Sequence, residues 1–153
     1  MRIRKMMPED VRQVAAIERD TFSQPWSEQG FLDSLDNPDT LFLVAEDAAM
    51  DESRILGYVG MYCALDEGEI TNVAAAQQAR RRGVGKALIG ELLRQAKERG
   101  ICRIILEVRV SNTPAIRLYE GMGFYKVGIR KGFYDFPKED AGIMVWEKTR
   151  IGS

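Results

Sequence analysis

Residues 80–86 read Arg80-Arg81-Arg82-Gly83-Val84-Gly85-Lys86 and precede the strongest helical pattern in the chain. From there Val84, Ala87, Leu88, Leu92 and Ala96 recur at helical spacing until Gly100 stops them, so the spacing predicts a helix over 83–99. A strand, a glycine-bearing turn and a helix N-terminus make an anion site. The first helical N–H groups lack partners there, and the dipole favours negative charge. Gly83 and Gly85 let the backbone approach a ligand without a Cβ in the way. Three arginines and Lys86 add positive charge, which suits a pyrophosphate. The bland alternative is a solvated arginine loop with Gly85 as a tolerated helix residue. Two other phosphate motifs do not fit. Lys86 is followed by Ala87 rather than Ser or Thr, and no GxGxxG follows the first strand.

Upstream of this segment the pattern predicts strands over 41–46, 55–65 and 69–75. Turns at Asp51-Glu52-Ser53 and Asp66-Glu67-Gly68 make them an antiparallel meander. Before them lie a short strand over 3–6 and a helix opened by Pro8-Glu9-Asp10, with Val11, Val14, Ala15 and Ile17 on one face. A break follows at Phe22–Trp26, and Ser27 caps a second helix carrying Phe31, Leu32 and Leu35. Asn37-Pro38-Asp39 is a turn. Downstream come a strand over 103–108 and a helix after Ser111-Asn112-Thr113-Pro114, ended by Gly121 and Gly123. Two last strands span 124–130 and 142–148. This order predicts an α/β (α+β) fold. Its mixed, mostly antiparallel sheet has about seven strands, flanked on both faces by about four helices.

The 153 residues fit one domain, residues 1–153, with a core of its own. Lys and Arg number 22 against 23 Asp and Glu, so no overall field draws the chain to nucleic acid or to a membrane surface. No signal peptide opens the sequence and no run is long and apolar enough to span a membrane; the expectation is a cytoplasmic protein. Cys63 and Cys102 sit in apolar runs and form no CxxC pair, so two buried thiols are expected. The chain has no histidine. That rules out Ser-His-Asp and Cys-His catalysis and removes the commonest transition-metal ligand, so no metal is expected.

Arg80-x-x-Gly83-x-Gly85 resembles the Q/R-x-x-G-x-G/A signature of the Gcn5-related N-acetyltransferase (GNAT) superfamily, and the order of elements fits it along the whole chain. Three further stretches resemble the bacterial ribosomal-protein alanine N-acetyltransferases. These are Phe22-Ser-Gln-Pro25-Trp26-Ser27-Glu28, Leu106-Glu107-Val108-Arg109-x-Ser111-Asn112 and Ala115-Ile116-x-Leu118-Tyr119-Glu120-x-x-Gly123-Phe124. Tyr134 and Glu139-Asp140-Ala141-x-x-Met144 fit the same pattern. The resemblance implies a GNAT-like fold and acetyl-CoA as co-substrate. The acceptor it implies is a protein N-terminus, that of a small-subunit ribosomal protein beginning with alanine. It implies that Arg80, Arg81, Arg82, Gly83, Val84, Gly85 and Lys86 hold the pyrophosphate. The backbone of Val73, Ala74 and Ala75, on a bulged strand, would pair with the pantetheine arm and polarise the thioester carbonyl. Asn112 would contact the CoA arm, or simply cap its helix. Three positions depart from the family pattern. Gln77 replaces the usual proline, and Ala75 and Ala76 replace a larger apolar residue and an acid, which loosens the wall beside the arm.

Glu107 interrupts the apolar run Ile104-Ile105-Leu106-Glu107-Val108, where burial would raise its pKa toward that of a working base. The alternative is an exposed strand position or a partner for Arg109; the resemblance favours the base. Tyr119, on the following helix, is the candidate acid for the departing thiolate, or else an amphipathic core tyrosine. Glu69 is a rival base. Pro25, Trp26 and Tyr134 are candidates for the acceptor groove, with Trp26 alternatively a core plug. Acetylation of a small amine or a lysine side chain would use an acidic pocket, for which Asp66, Glu67 and Glu69 are available. A CoA-binding module without turnover is the third reading, against which Glu107 and Tyr119 both stand.

Overall fold

The computed structural model describes residues 1–47, 49 and 54–148. Seven strands form one sheet in the order β1-β2-β3-β4-β5-β7-β6. β1 (Arg2–Lys5), β2 (Thr40–Asp47), β3 (Arg54–Ala64) and β4 (Glu67–Ala75) pair antiparallel in turn. β4 runs parallel to β5 (Arg103–Arg109). β7 (Lys138–Glu147) lies antiparallel between β5 and the edge strand β6 (Tyr125–Asp135). The helices are α1 (Val11–Thr21), α2 (Glu28–Leu35), α3 (Val84–Glu98) and α4 (Thr113–Gly121). The predicted class and element order hold.

Alternation along β3 shows which helices cover which face. The ring of fully buried Tyr58 meets Phe31 of α2 edge-on, with centroids 5.7 Å apart. A Cβ at Gly57, on the opposite face, would stand 2.8 Å from Val84 at the start of α3 and 2.8 Å from the carbonyl oxygen of Ala74. So α1 and α2 pack on one side and α3 on the other, and glycine at 57 lets α3 approach the backbone. On β5, Ile104, Leu106 and Val108 are buried toward α3, which turns Ile105, Glu107 and Arg109 to the α1–α2 side.

Local signals held where they were chemical. Ser27 Oγ accepts from the N–H of Gly30 at 3.1 Å and caps α2. Gly83 is the N-cap of α3 with φ of 75°, so the helix starts at Val84. Other expectations shift. The turn expected at 66–68 sits one step earlier, with Leu65 at φ of 57°, and Glu67 and Gly68 pair within β4. Gly68 serves packing rather than turning: a Cβ there would lie 2.6 Å from Met61 Sδ. The last hairpin is longer than expected, running to Asp135 and resuming at Lys138. The cysteines also depart from expectation. Cys102 is exposed in the short link between α3 and β5, and Cys63 is only half-buried. The turn expected at Asp51-Glu52-Ser53 lies outside the described residues.

Candidate active site

β4 and β5 pair at Glu67–Arg103, Gly68–Ile104 and Glu69–Ile105, and their ladder ends there. The cause is visible on the other side of β4. Gly60 pairs with Asn72 but Met61 pairs with Ile70, so Thr71 is an extra residue. Such a bulge bends the strand and increases its twist. Beyond it a cleft of about 720 Å³ opens between the two strands. Its walls are β4 past Glu69, β5 from Leu106 to Arg109, the start of α4, the α1–α2 link and the β6–β7 turn.

Glu107 lies in this cleft with its side chain 12% exposed, and Arg130 of β6 approaches it at 3.4 Å. Burial, and then the charge of Glu69 on the facing strand, raise its pKa above the ordinary carboxylate range; Arg130 opposes them. Arg109 is not its partner. That guanidinium donates to the carbonyls of Pro137 (2.8 Å) and Phe136 (3.2 Å) and to Glu139 (3.2 Å). It also stacks 4.2 Å from the ring centre of Tyr134. Glu139 further accepts from the N–H of Ser111 at 2.8 Å, and these bonds hold its carboxyl below its usual pKa. Arg109 therefore anchors the β6–β7 turn over the cleft.

Tyr119 is 5% exposed, with its ring 5.7 Å from that of Phe124. Its hydroxyl has no hydrogen-bond partner among the described residues, and the residue lines the cleft. Burial, and then Tyr134, push the phenol pKa well upward. Tyr134 is half-buried and is itself raised, chiefly by burial. Trp26 packs on Phe31 and Phe42, at 5.3 and 6.2 Å between ring centres, and it also lines the cleft. Pro25 is exposed and forms no part of the cleft wall, because the link turns Trp26 inward in its place. Asn112 caps α4 by accepting from the N–H of Ala115 at 3.3 Å, and also borders the cleft. Of the three acids considered for an acidic pocket, only Glu69 reaches it; Glu67 faces Arg103 at 3.7 Å.

The glycine-bearing loop lies further along the same strand. Val73 lines the cleft, Ala74 is buried and Ala75 begins the exit from the sheet. A single 3-10 turn, Gln77–Ala79, leads to Arg80, Arg81 and Arg82, all exposed. Arg81 and Gly83 both have left-handed backbones, with φ of 66° and 75°. The first bond of α3 runs from the N–H of Ala87 to the carbonyl of Gly83 (3.0 Å), leaving the N–H groups of Val84, Gly85 and Lys86 without a partner among the described residues. Among the described residues none of Arg80, Arg81, Arg82 and Lys86 has an ion-pair partner. Free donors and free cations at a helix N-terminus fit a pyrophosphate, and the unpaired stretch of β4 fits an extended amide-bearing arm. Among the described residues no three metal-ligating side chains cluster, and no helix is long and apolar enough to cross a membrane.

Sequence reasoning missed Glu18, Asn72, Phe133 of β6 and Phe136 of the β6–β7 turn, and it weighed Arg109 as a partner of Glu107 rather than as the anchor of that turn. Glu18 and Asn72 sit on separate elements and read alone as a surface helix residue and an ordinary mid-strand residue.

A splayed, bulged parallel pair beside a cationic helix N-terminus defines a CoA-dependent acyltransferase site. Residues 11–124 match the family model described as "Acetyltransferase (GNAT) family". The Escherichia coli (strain K12) [ribosomal protein bS18]-alanine N-acetyltransferase is 35% identical over 130 residues, 84% of either chain. A Bacillus subtilis (strain 168) relative, provisionally assigned the same activity, is 37% identical over 93% of this chain and 92% of its own. The crystal structure of the Escherichia coli ribosomal-protein-S18-alanine N-acetyltransferase superposes with a TM-score of 0.86. It covers 99% of this chain and 96% of that one at 29% identity. The chain belongs to the GNAT family and is an acetyl-CoA-dependent N-acetyltransferase.

Proposed function

We propose that this enzyme acetylates the N-terminal α-amine of a protein, and that its acceptor is a small-subunit ribosomal protein beginning with alanine. The observation that carries the chemistry is one cleft holding Glu107 on one strand and Tyr119 on the helix after it. The relatives' activity on ribosomal protein bS18 supports the acceptor.

An α-amine has a pKa of about 7.7–8.0, so a useful fraction is neutral at pH 7; a lysine, near 10.4, needs far more help. A buried carboxylate of raised pKa, such as Glu107, takes the amine proton directly or through water. The freed lone pair attacks the acetyl carbonyl, whose oxygen is stabilised by an N–H of β4 around Val73–Ala75. The C–S bond then breaks, the nitrogen's remaining surplus proton passes to the departing sulfur to give the free CoA thiol, and that sulfur receives a hydrogen bond from Tyr119 as its charge develops. Trp26, Glu69 and Tyr134 line the acceptor side, and Asn112 the CoA side.

The test is thiol release from acetyl-CoA with short peptides that differ at residue 1 and in N-terminal blocking. A free Ala-starting peptide should react and its blocked form should not. Reaction only with lysine peptides or polyamines would overturn the α-amine acceptor while leaving the family intact. Trp26→Ala should raise the peptide KM several-fold, leave the acetyl-CoA KM unchanged and cost about 2 kcal/mol of stability, since the ring is only half-buried. Steady-state kinetics and denaturant melts check both; an unaltered peptide KM would reduce Trp26 to packing.

A further inference from the structure

Glu18 of α1 is a buried carboxylate, 2% exposed, that collects donors from three other elements. Its Oε1 accepts from the hydroxyl of Tyr58 on β3. Its Oε2 accepts from the N–H of Trp26 at 3.0 Å. The side-chain amide of Asn72, 5% exposed on bulged β4, donates Nδ2 to both oxygens at 3.4 Å. This fixes the amide's orientation. Turned over, its oxygen would face two carboxylate oxygens. Asn72 Oδ1 is thus directed away from Glu18, and it is the one buried side-chain polar atom among the described residues that has no hydrogen-bond partner.

An unpaired buried acceptor is costly, and folded proteins leave few. Here it belongs to a cleft residue placed next to the chemistry. Asn72 pairs with Gly60, which puts its side chain on the α1–α2 face, the face of Glu107. Glu107 is two residues past the last paired position of β5, Ile105. Asn72 is three past Glu69, and the bulge at Thr71 absorbs one of the three. The two residues therefore stand on facing strands at matching height, a carboxylate on one and an amide on the other.

We propose that Asn72 Oδ1 is a subsite for the acceptor's primary amine, accepting one of its N–H bonds, with Glu18 as the positioning residue that holds the amide in that orientation. The chemistry requires such a group. After the amine has given one proton to Glu107 it keeps two N–H bonds, and its lone pair must point at the thioester carbonyl. A neutral acceptor binds one N–H without capturing the proton that has to leave, and so aligns the lone pair. A second carboxylate would instead stabilise the ammonium form. The bonds of Glu18 to Trp26 and Asn72 also tie the acceptor link to the bulged strand, so the groove and the subsite are set together.

The subsite deepens the proposed function but needs only a primary amine. Its test therefore uses whichever acceptor the wild-type enzyme acetylates fastest among a free Ala-starting peptide, a lysine peptide and a polyamine. Asn72→Leu, of similar volume, should raise the acceptor KM or lower kcat so that kcat/KM for the amine falls about tenfold or more, one hydrogen bond's worth. The acetyl-CoA KM should stay within twofold, and thermal stability should fall about as it does when Tyr58 loses its hydroxyl, because Glu18 loses a buried donor in each case. Tyr58→Phe, which removes a donor to Glu18 but leaves Oδ1 in place, should change stability and leave kcat/KM for the amine within about threefold. Equal kinetic losses in both variants, or loss only in acetyl-CoA binding, would overturn the subsite. Fast turnover of lysine or polyamine alone, with the Asn72→Leu effect present, would keep the subsite and remove the α-amine reading. No turnover with any amine would overturn both.

Discussion

Glu107→Gln is expected to lower kcat by about a hundredfold or more, the usual contribution of a positioned general base, without weakening acetyl-CoA binding. Gln keeps the shape and loses the ability to take a proton. The wild-type enzyme should also lose kcat/KM as pH falls through the Glu107 pKa, which burial and Glu69 place above the ordinary carboxylate range. The variant's profile should lack that acid limb and keep only the ionisation of the acceptor amine. Stability should move the other way. A carboxyl whose folded pKa is raised binds its proton more tightly when folded. Its contribution is therefore present below the ordinary carboxyl pKa and lost as pH rises through the raised value. Once ionised, Glu107 is a burden offset in part by Arg130, which at 54% exposure can turn to water when its partner is gone. The Gln variant should consequently melt no lower than wild type at pH 7. Turnover unchanged in Glu107→Gln would move the base to Glu69 across the cleft. A fall in both turnover and melting temperature would mean that Glu107 is structural.

The same physics explains what the sequence could and could not reveal. Elements with one buried face announced themselves. The buried residues Val84, Leu88, Leu92 and Ala96 of α3 give a helical period, and the run from Ile104 to Val108 gives a strand. β6 has no such signal. It is the sheet edge, its residues are exposed or half-exposed throughout, and a bulge near Lys126–Gly128 breaks the alternation; its far half was accordingly missed. Glu107 was legible because a carboxylate inside an apolar run is a local anomaly. The amide–carboxylate pair of Asn72 and Glu18 was not. Each is ordinary among its neighbours, and what is unusual, three donors on one buried carboxylate and one orphaned oxygen, exists only once residues 54 positions apart meet. Pro25 lies outside the cleft wall for the complementary reason: a rigid residue beside an aromatic one marks a turn in the chain, and the turn shows Trp26 to the cleft and Pro25 to solvent.

Tyr119→Phe is the other large effect expected, a fall in kcat of about tenfold to a hundredfold with both KM values little changed. The magnitude is that of one hydrogen bond to a charged group, about 1.5–3 kcal/mol. The structure sharpens the role. In water a phenol and a thiol differ by only about 1.5 pKa units, which would allow a proton to pass between them. Burial drives the Tyr119 phenol further from the thiol, so complete transfer to the departing sulfur is uphill. A neutral O–H donor, unpaired among the described residues, is suited to a different task. It strengthens its hydrogen bond as negative charge grows on sulfur, and so contributes more in the transition state than in the ground state. Two measurements separate this from packing. With its pKa raised, Tyr119 should remain protonated through the alkaline range, so wild-type activity up to about pH 9 should show no loss traceable to a phenolate. The Phe variant should be as stable as wild type or more so, because the substitution removes a hydroxyl with no partner among the described residues and keeps the ring contact with Phe124. Retained kcat in Tyr119→Phe would leave the residue a packing element of α4. Lost kcat with unchanged stability and KM would place its hydroxyl at the leaving group, since no effect of packing changes the chemical step alone.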